Sequence, residues 1–502
     1  MNRQPFLTAL LVPFIAATSA CTAADDSDGT VAQTTAVKSQ PLRAADAWTR
    51  KADMNLARGK YSTVTLSDGR VMVIGGISVA DDAPTPATEI YDPDADAWTP
   101  AAPTPMPVPF INVAITLSSG MVLLVGQDVL SYDGTANSLR SFLYDPRADR
   151  WIETGSLPTQ AVYWGNFTGN AVEGPDGRVL VAGGYSIDSG VAPFDPATPT
   201  TTTRLSFMFT PGRDNPADGT WDFTRDAAGE ATQMPSPHEG VPLIDLRDGR
   251  FLICGGRWIG NPGQDLVALS AACDLYDWSS GQWTAAAPMP AIPDEDGAGS
   301  ATPGSRYRYA AHRLPDGRVL IAGGMFLTAD AEFGIGVRRS TIVFDPGQPA
   351  APWSYAPAMN MQTGRFLAVV YHQPDGQFVV AAGSDADFLD LFTTEIFDPT
   401  RMTWSTGAEL PSVHPFWADD AGLPADFKVC AIATWGSTGQ AQLRHGRAFL
   451  GASGWSNVSP VPPKDAYVFT PGSPGQGKST PRLTLPASAR SYLKGRGVSL
   501  LQ

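Results

Sequence analysis

Cysteine, basic side chains and long apolar segments are all scarce in this sequence. The 502 residues include four cysteines, and no two of them form a Cys-x-x-Cys pair. A His-Glu-x-x-His helix and a Gly-x-Ser-x-Gly elbow are also missing. The sequence therefore gives no motif-based reason to expect a zinc protease, a serine hydrolase or a dithiol redox enzyme.

Basic residues are outnumbered by acidic ones. There are 35 Lys and Arg against 50 Asp and Glu, which gives a formal net charge of −15. Because nucleic-acid binding depends on Lys and Arg contacts to phosphates, nucleic acid is not an expected partner. Hydrophobic residues make up 43% of the chain, enough for a large core, and all-β chains of this length can form one domain.

The apolar stretch near the start, Phe6 to Ala17, is too short to span a bilayer. It lies between Arg3 and the small residues that precede Cys21, which is the layout of a secretory signal peptide. Small residues directly before a cysteine also resemble the bacterial lipobox, whose cysteine is lipidated, although Thr18 stands where that family usually has leucine. We predict a signal peptide over residues 1–20 and lipidation of Cys21; secretion without a lipid is the alternative.

Residues 21–44 are rich in Asp, Ser and Thr, a composition typical of a flexible tether. An acylated Cys21 would attach the folded region to a membrane without spanning it. We therefore expect an exported protein of the bacterial cell envelope, anchored by lipid at the outer membrane or in the periplasm.

One pattern recurs seven times along the rest of the chain. Each copy begins with a tight turn and an apolar strand, usually ending in paired glycines, at residues 68–76, 119–127, 176–184, 248–256, 316–324, 375–383 and 445–453. A second apolar segment ends near Tyr/Phe-Asp-Pro, at Tyr91, Tyr144, Phe209, Tyr276, Phe344, Phe397 and Phe469. A tryptophan follows in six copies, at Trp98, Trp151, Trp221, Trp283, Trp353 and Trp404. Short β segments at this period predict a propeller or an array.

The tryptophan of the last copy stands before the first copy. No Trp follows Phe469, whereas Trp48 precedes the first repeat. A repeat that is out of phase with the chain ends predicts a closed ring, in which the strand around Trp48 pairs with the strand Ala466 to Phe469. Closure would cover a sheet edge that otherwise invites aggregation. We assign the repeat tryptophans, the Tyr/Phe positions and the paired glycines to packing between blades.

These segments resemble the kelch repeat, whose pattern is Asp-Gly-Arg-Val-Leu-Val-Ala-Gly-Gly, then Tyr-Asp-Pro, then Trp. The resemblance covers residues 45–471 and implies an all-β fold, a seven-bladed kelch β-propeller whose last blade is closed by the N-terminal strand. Gly126-Gln127 and Ala452-Ser453 depart from the glycine pair. Residues 472–502 are expected to form a disordered tail. Kelch proteins include binding scaffolds and enzymes, so the fold does not assign a function.

Two of the cysteines fall on neighbouring strands of one repeat. Cys254 ends the second strand of the fourth copy and Cys273 begins the third. Because antiparallel neighbours bring such residues close, and export permits oxidation, we predict a Cys254–Cys273 disulfide. We interpret Cys430 as a buried thiol on the inner strand of the last copy.

Alternating strand direction predicts two unlike rims. The Asp-Gly and Asp-Pro turns share a short-turn rim, and the connections after the second strand and between copies share a long-loop rim with nearly all the length variation. Recognition usually concentrates on such loops. We interpret the tryptophans on the long-loop rim as a binding face, joined by Phe326 and Phe392 among others, with local packing as the alternative; they are Trp164, Trp258, Trp417 and Trp455.

A second candidate set begins the innermost strands at the channel mouth. Counting 17 residues back from the glycine pair gives Arg58, Arg306 and Arg365, and His238 in the fourth copy. Two interpretations remain open. The side chains bond carbonyls and acids of the blades, or they form a cationic ring for a carboxylate-bearing ligand.

We favour a binding or scaffold module for a protein or carbohydrate ligand, with no cofactor and no metal. The resemblance also admits a copper radical oxidase of the galactose oxidase type, which needs two Tyr, two His and an additional C-terminal domain. Only His238 and His414 fall on the long-loop rim here. The main alternative is a channel-centred sugar isomerase or epimerase that uses Glu239 and His238 with the three arginines.

Overall fold

The computed structural model describes residues 22–23, 47–59, 61–78, 80–81, 83–108, 111–127, 139–155, 157–158, 162–163, 170–187, 200–202, 204–259, 267–293, 302–327, 335–359, 364–373, 375–386, 391–410, 412–413, 429–430, 440–443, 447–451, 466–470 and 483–484. Within them the chain is built almost entirely of β-strands, with one short 3-10 helix at Pro216–Asp218. None of these residues belongs to a helix long and apolar enough to cross a membrane.

The described strands include seven four-stranded antiparallel sheets, one for each repeat. In chain order, with the innermost strand given first, they are Ser62–Thr65, Val71–Ile74, Thr88–Asp92 and Ala97–Ala101; Ile111–Thr116, Val122–Gln127, Leu139–Asp145 and Arg150–Glu153; Ala171–Glu173, Val179–Ala182, Ser206–Thr210 and Thr220–Phe223; Leu243–Asp245, Arg250–Cys254, Cys273–Asp277 and Gln282–Ala286; Ala310–Arg313, Val319–Ala322, Thr341–Phe344 and Trp353–Ala356; Val369–His372, Phe378–Ala381, Thr394–Asp398 and Thr403–Thr406; Gln440–Gln442, Ala448–Gly451, Ala466–Thr470 and Ala47–Lys51.

The Asp-Gly turns are closed by their own side chains. In the first sheet Gly69, at φ 95°, donates its N–H to the carbonyl of Leu66 at 2.9 Å. Asp68 accepts from the backbone N–H of Arg70 at 3.0 Å and pairs with its guanidinium at 2.8 Å. The same Asp-Gly-Arg arrangement recurs in the third, fourth and fifth sheets. These four turns of the short-turn rim therefore satisfy their own polar groups.

The second strand of each sheet carries the core. All four residues of Val71–Ile74, of Val179–Ala182 and of Val319–Ala322 are buried. A sheet covered on one face shows alternating polar residues, whereas these runs are apolar on both faces because another sheet packs on each side.

The sheets form a closed ring. The first strand of each sheet contacts the first strand of the next, and Gln440–Gln442 of the last sheet contacts Ser62–Thr65 of the first. Around the axis, Thr65 Oγ1 donates to the carbonyl of Gln442 at 2.6 Å, and Thr116 Oγ1 donates to the carbonyl of Thr65 at 2.8 Å. The prediction of an all-β propeller is confirmed.

The N-terminal strand completes the last sheet. Ala47–Lys51 pairs antiparallel with Ala466–Thr470 over five residues, with Trp48 opposite Phe469. The indole lies 5.3 Å from the Phe469 ring and 6.1 Å from Tyr371 of the sixth sheet. The predicted closure is therefore present, and the strand that starts the fold covers the edge of the strand that ends it.

Every repeat tryptophan joins its sheet to the one before it. Each donates its indole N–H to a group on the preceding sheet or on the connection that leaves that sheet. The pairs are Trp98 to Ala52 O, Trp151 to Ala102 O, Trp221 to Ser141 Oγ, Trp283 to Ser206 Oγ, Trp353 to Ala287 O, Trp404 to Thr341 Oγ1 and Trp48 to Thr394 Oγ1. Trp48 follows the rule of the other six, so the ring is continuous across the chain ends.

Short β-ribbons rise above the sheets on the long-loop rim. Their strands are Arg58–Gly59, Ile77–Ser78 and Ala83–Pro84; Val162–Tyr163, Tyr185–Ile187 and Thr200–Thr202; Arg257–Ile259 and Val267–Leu269; Met325–Leu327 and Ile335–Val337; Ser412–Val413 and Val429–Cys430. A separate pair joins Thr22–Ala23 to Leu483–Thr484. The predicted domain limits at residues 20, 44 and 471 lie outside the described residues.

Candidate functional site

Three of the ribbons stand side by side on the long-loop rim. The strand Thr200–Thr202 contacts Arg257–Ile259, and Val267–Leu269 contacts Met325–Leu327. We name these ribbons of the third, fourth and fifth sheets the ribbon wall. Leu327, at its edge, is 43% exposed. The wall extends beyond the four-stranded sheets, whereas the described Asp-Gly-Arg turns of the opposite rim are short and closed.

The glycine pairs set the ribbons close to the innermost segments of the ring. Gly256 has φ 103°, and a Cβ there would lie 2.8 Å from the backbone of Glu239. Arg257, the next residue, donates its N–H to the carbonyl of Glu239 at 3.1 Å. A side chain at residue 256 would push the ribbon away from the axis, so the glycine lets the wall border the channel mouth.

The predicted aromatic face is only partly described. Trp258 lies on the wall strand Arg257–Ile259, while Trp164, Trp417 and Trp455 lie outside the described residues. Phe326 and Phe392 are 6% and 5% exposed, which favours the alternative of local packing for these two residues. The Arg338 guanidinium covers the Phe326 ring at 4.2 Å. Because strand residues alternate, Phe326 faces inward and its neighbour Leu327 faces solvent.

The four cationic candidates are buried and bonded within their own sheets. Arg58, Arg306 and His238 are fully buried and Arg365 is 1% exposed. Each donates to the carbonyl 17 residues ahead: Arg58 to Gly75 at 3.1 Å, Arg306 to Gly323 at 2.8 Å, Arg365 to Ala382 at 2.9 Å, and His238 Nδ1 to Gly255 at 2.7 Å. These bonds fit the first of the two interpretations, in which the side chains bond carbonyls and acids of the blades. Little of these side chains is accessible to a ligand.

Buried acids complete three of these sites. Glu89 pairs with Arg58, Glu395 pairs with Arg365 at 3.0 Å, and Asp274 accepts from His238 Nε2 at 3.1 Å. Burial lowers the pKa of the Arg58 and Arg365 guanidiniums, and the neighbouring glutamate opposes that shift. Glu89 also accepts the N–H of Asn55 at 2.8 Å. These groups therefore fasten the connection between sheets.

A group that the sequence did not reveal lies beside the wall at the channel mouth. Tyr307 is 6% exposed, and its hydroxyl finds no hydrogen-bond partner in the part of the chain that the structure describes. Such an unsatisfied group costs about 1–3 kcal/mol. Arg308 has a left-handed φ of 53°, which costs a non-glycine residue about 1–2 kcal/mol. Its guanidinium lies 5.0 Å above the Tyr307 ring.

The fourth and sixth sheets show what this position requires. Gly240 and Leu367, each two residues after the buried cation of its sheet, also have positive φ, at 66° and 56°. A Cβ on Gly240 would lie 2.2 Å from the Tyr307 ring. In the sequence, only Gly240 points to a left-handed bend at this position. Nothing in the sequence indicates that Arg308 adopts the same bend in the fifth sheet.

The structure contains the predicted disulfide. Cys254 and Cys273 are directly opposite on neighbouring strands, with a Cα–Cα distance of 4.1 Å, and both are buried. The placement of Cys430 was wrong. It lies on the rim strand Val429–Cys430, which pairs with Ser412–Val413, whereas the innermost strand of the last sheet is Gln440–Gln442. Cys21 lies outside the described residues.

Two histidines meet near the short-turn end of the channel. The His312 and His372 rings lie 4.0 Å apart. Burial lowers the pKa of His312 to about 3, helped by His372 and Arg313, and burial lowers the pKa of His372. Among the described residues, no three His, Cys, Asp or Glu side chains converge on a point that could hold a metal ion. His414 lies outside them.

Comparison with known proteins identifies the repeat. The Kelch motif model matches residues 58–105. Beta-scruin of Limulus polyphemus is 27% identical over 146 residues, which are 28% of this chain and 15% of that protein. Kelch-like protein 15 of Mus musculus is 27% identical over 159 residues, 30% of this chain and 25% of that protein. The chain thus spans a quarter or less of the length of these relatives.

Comparison with solved structures also supports a propeller fold. A fungal alcohol oxidase of the AA5 family, solved in complex with copper, superimposes with a TM-score of 0.54 and 13% identity over 86% of this chain and 79% of that one. At that identity the likeness concerns the fold alone. The matched motif and the seven phased sheets together support a kelch-repeat β-propeller fold for this chain.

Proposed function

We propose that this chain is a binding module that recognises a protein partner on its long-loop rim. The observation that carries the proposal is the asymmetry of the rims. On the short-turn rim, Asp-Gly-Arg turns such as Asp68 to Arg70 satisfy their own polar groups. On the other rim, the ribbon wall adds backbone and side chains that the closed ring does not need.

Kelch repeats commonly mediate protein contacts, and the motif in this chain supports the same use. The rigid ring makes the wall a preorganised surface, so little conformational entropy is lost when a partner binds. The proposal includes export to a bacterial envelope and attachment through Cys21, both of which rest on the N-terminal sequence. A carbohydrate ligand stays a prediction.

The test uses the two large hydrophobic side chains that are exposed in the described part of the chain. Leu327 lies on the ribbon wall, and Tyr355, 56% exposed, lies on the outer strand Trp353–Ala356. A photo-reactive p-benzoyl-phenylalanine placed at either residue of the full chain reports contacts in the cells that produce it. We expect one covalent adduct of defined mass from position 327, and none from the matched position 355.

Excess chain without the photo-reactive residue should compete the adduct away, because a specific site is saturable. Equal labelling from both positions, or an adduct that resists competition, would contradict recognition on the long-loop rim. No adduct from position 327 under conditions where the protein is exported and folded would also contradict it.

A further inference from the structure

The channel mouth beside the ribbon wall holds polar groups whose bonding is incomplete. The Tyr307 hydroxyl is buried and has no acceptor or donor among the described residues. The Nε of Arg308 is likewise buried and unpartnered there. These atoms belong to consecutive residues, and the Arg308 guanidinium lies 5.0 Å from the Tyr307 ring, so the two side chains border the same place. A buried polar group without a partner needs an explanation, and a ligand that completes its bonding is one such explanation.

The backbone at Arg308 does not itself call for a cationic side chain, because the equivalent bend in the sixth sheet carries Leu367. Glycine adopts the same left-handed bend without strain at Gly240 in the fourth sheet. In the fifth sheet the bend is kept with arginine. The carbonyl of Arg308 accepts from the N–H of Leu367 at 3.0 Å, which requires only backbone. The structural needs of this position therefore do not explain a long cationic side chain.

The local charge favours an anion. Glu239 is 4% exposed and pairs with Arg257 at 2.9 Å, so its charge is already matched. The Arg257 guanidinium lies 5.8 Å from the Tyr307 ring, and that of Arg308 lies 5.0 Å from it. Among the described residues around Tyr307, the guanidiniums of Arg257 and Arg308 carry two positive charges and the carboxylate of Glu239 carries one negative charge. Arg308, which is only partly buried, carries the unmatched charge.

We propose that Tyr307 and Arg308 form a binding site for a carboxylate, supplied by an acidic side chain of the protein partner. This rests on the proposed function and adds the chemistry that the partner must present. The Arg308 guanidinium donates to the carboxylate oxygens, and the Tyr307 O–H donates to one of them. The ring of Tyr307, packed on Gly240, holds both donors in place.

The first experiment uses small probes and needs no knowledge of the partner. N-acetyl-glutamate amide is titrated into the full chain with isotope-labelled arginine, and the Arg308 side-chain resonance is followed by NMR. N-acetyl-glutamine amide serves as the neutral isostere, and inorganic phosphate as a different oxyanion. We expect the glutamate probe to bind in the millimolar range, to shift the Arg308 resonance, and to bind more tightly than both other probes.

The variants separate ligand contact from folding. Arg308→Gln should weaken the glutamate probe about tenfold, since it removes the charged partner. Tyr307→Phe keeps the ring packing and should weaken it about threefold. Arg401→Gln removes the same charge from a side chain that is 66% exposed on the short-turn rim, and should leave affinity unchanged. Equal binding to the wild type and to Arg308→Gln would overturn the assignment, as would a preference for phosphate or no binding.

The second experiment separates this inference from the proposed function. The photo-reactive residue at position 327 is combined with Arg308→Gln. Loss of most of the adduct supports the carboxylate site within a working interface. An undiminished adduct together with no glutamate-probe binding overturns the site and leaves the long-loop rim as the interface. Glutamate-probe binding without any adduct in the wild type contradicts the protein-binding module instead.

Discussion

Closure of the ring by Trp48 leads to a quantitative prediction. The indole contacts Phe469 at 5.3 Å and Tyr371 at 6.1 Å and donates to Thr394 Oγ1 at 3.2 Å. Truncating a buried Trp to Ala typically costs about 3–5 kcal/mol, and Trp48 is half-buried, so we expect about 3 kcal/mol for Trp48→Ala. Trp48→Phe keeps most of the ring contacts and loses the N–H donor, for about 1 kcal/mol.

Amide hydrogen exchange shows which residues lose protection when Trp48 is replaced. The closing strand Ala47–Lys51 is the outermost strand of its sheet and is not consecutive in the chain with the other three, so Trp48→Ala should let it detach and expose the amides of Ala466–Thr470. A 3 kcal/mol loss corresponds to exchange about a hundredfold faster in that segment. Trp98→Ala is the matched control, because Trp98 makes the same type of contacts in a sheet made of consecutive strands. Unchanged exchange at 466–470 in Trp48→Ala would refute the closing role of this strand.

Three further predictions concern buried charge, pH and the N-terminus. Arg365→Met leaves Glu395 buried without its cation and should destabilise by about 3–5 kcal/mol in urea unfolding, whereas adding Glu395→Leu should restore most of the loss. Because the folded pKa of His312, about 3, is below its unfolded value of 6.5, the unfolded chain binds more protons between these values. The free energy of unfolding should therefore fall by about 1 kcal/mol per pH unit as pH drops below 6.5. The variant His312→Phe should flatten that slope. His372 and Arg313 face the same ring, so an unchanged slope in the variant would assign the loss of stability to other groups. Cys21→Ser should abolish incorporation of labelled palmitate and release the protein from membranes, and persistent membrane attachment would argue for a different anchor.

Local patterns explain what could be predicted from the sequence. The turn that ends in glycine (Asp-Gly in five copies), the apolar run from Val71 to Ile74 and the tryptophan at Trp98 each reflect contacts that recur around the ring, so repetition makes them visible. The displaced Trp48 predicted the ring closure because a missing repeat member must be supplied from elsewhere in the chain. The disulfide followed from two cysteines at opposing strand ends.

The site could not be predicted in the same way. The role of Arg58 depends on Glu89, 31 residues away, so spacing alone left a ligand-binding ring open. Phe326 and Leu327 are adjacent apolar residues, and only the strand's orientation shows which one faces solvent. The Tyr307 hydroxyl is distinguished by the lack of a hydrogen-bond partner among the described residues, and Arg308 by a backbone angle. Neither property is encoded in residue type.

The direction of the closing strand has a consequence for presentation at a surface. Ala47 is paired with Thr470, at the end of the sheet that carries the Asp-Pro turns, so the chain enters and leaves the propeller on the short-turn rim. An anchor upstream of Ala47 would pull on the perimeter of that rim, and the ribbon wall would point away from the attachment. The residues between Cys21 and Ala47 reach at most about 90 Å when fully extended. A lipid-anchored copy would thus search a layer of that depth, and partners displayed within it would meet the wall at a raised effective concentration.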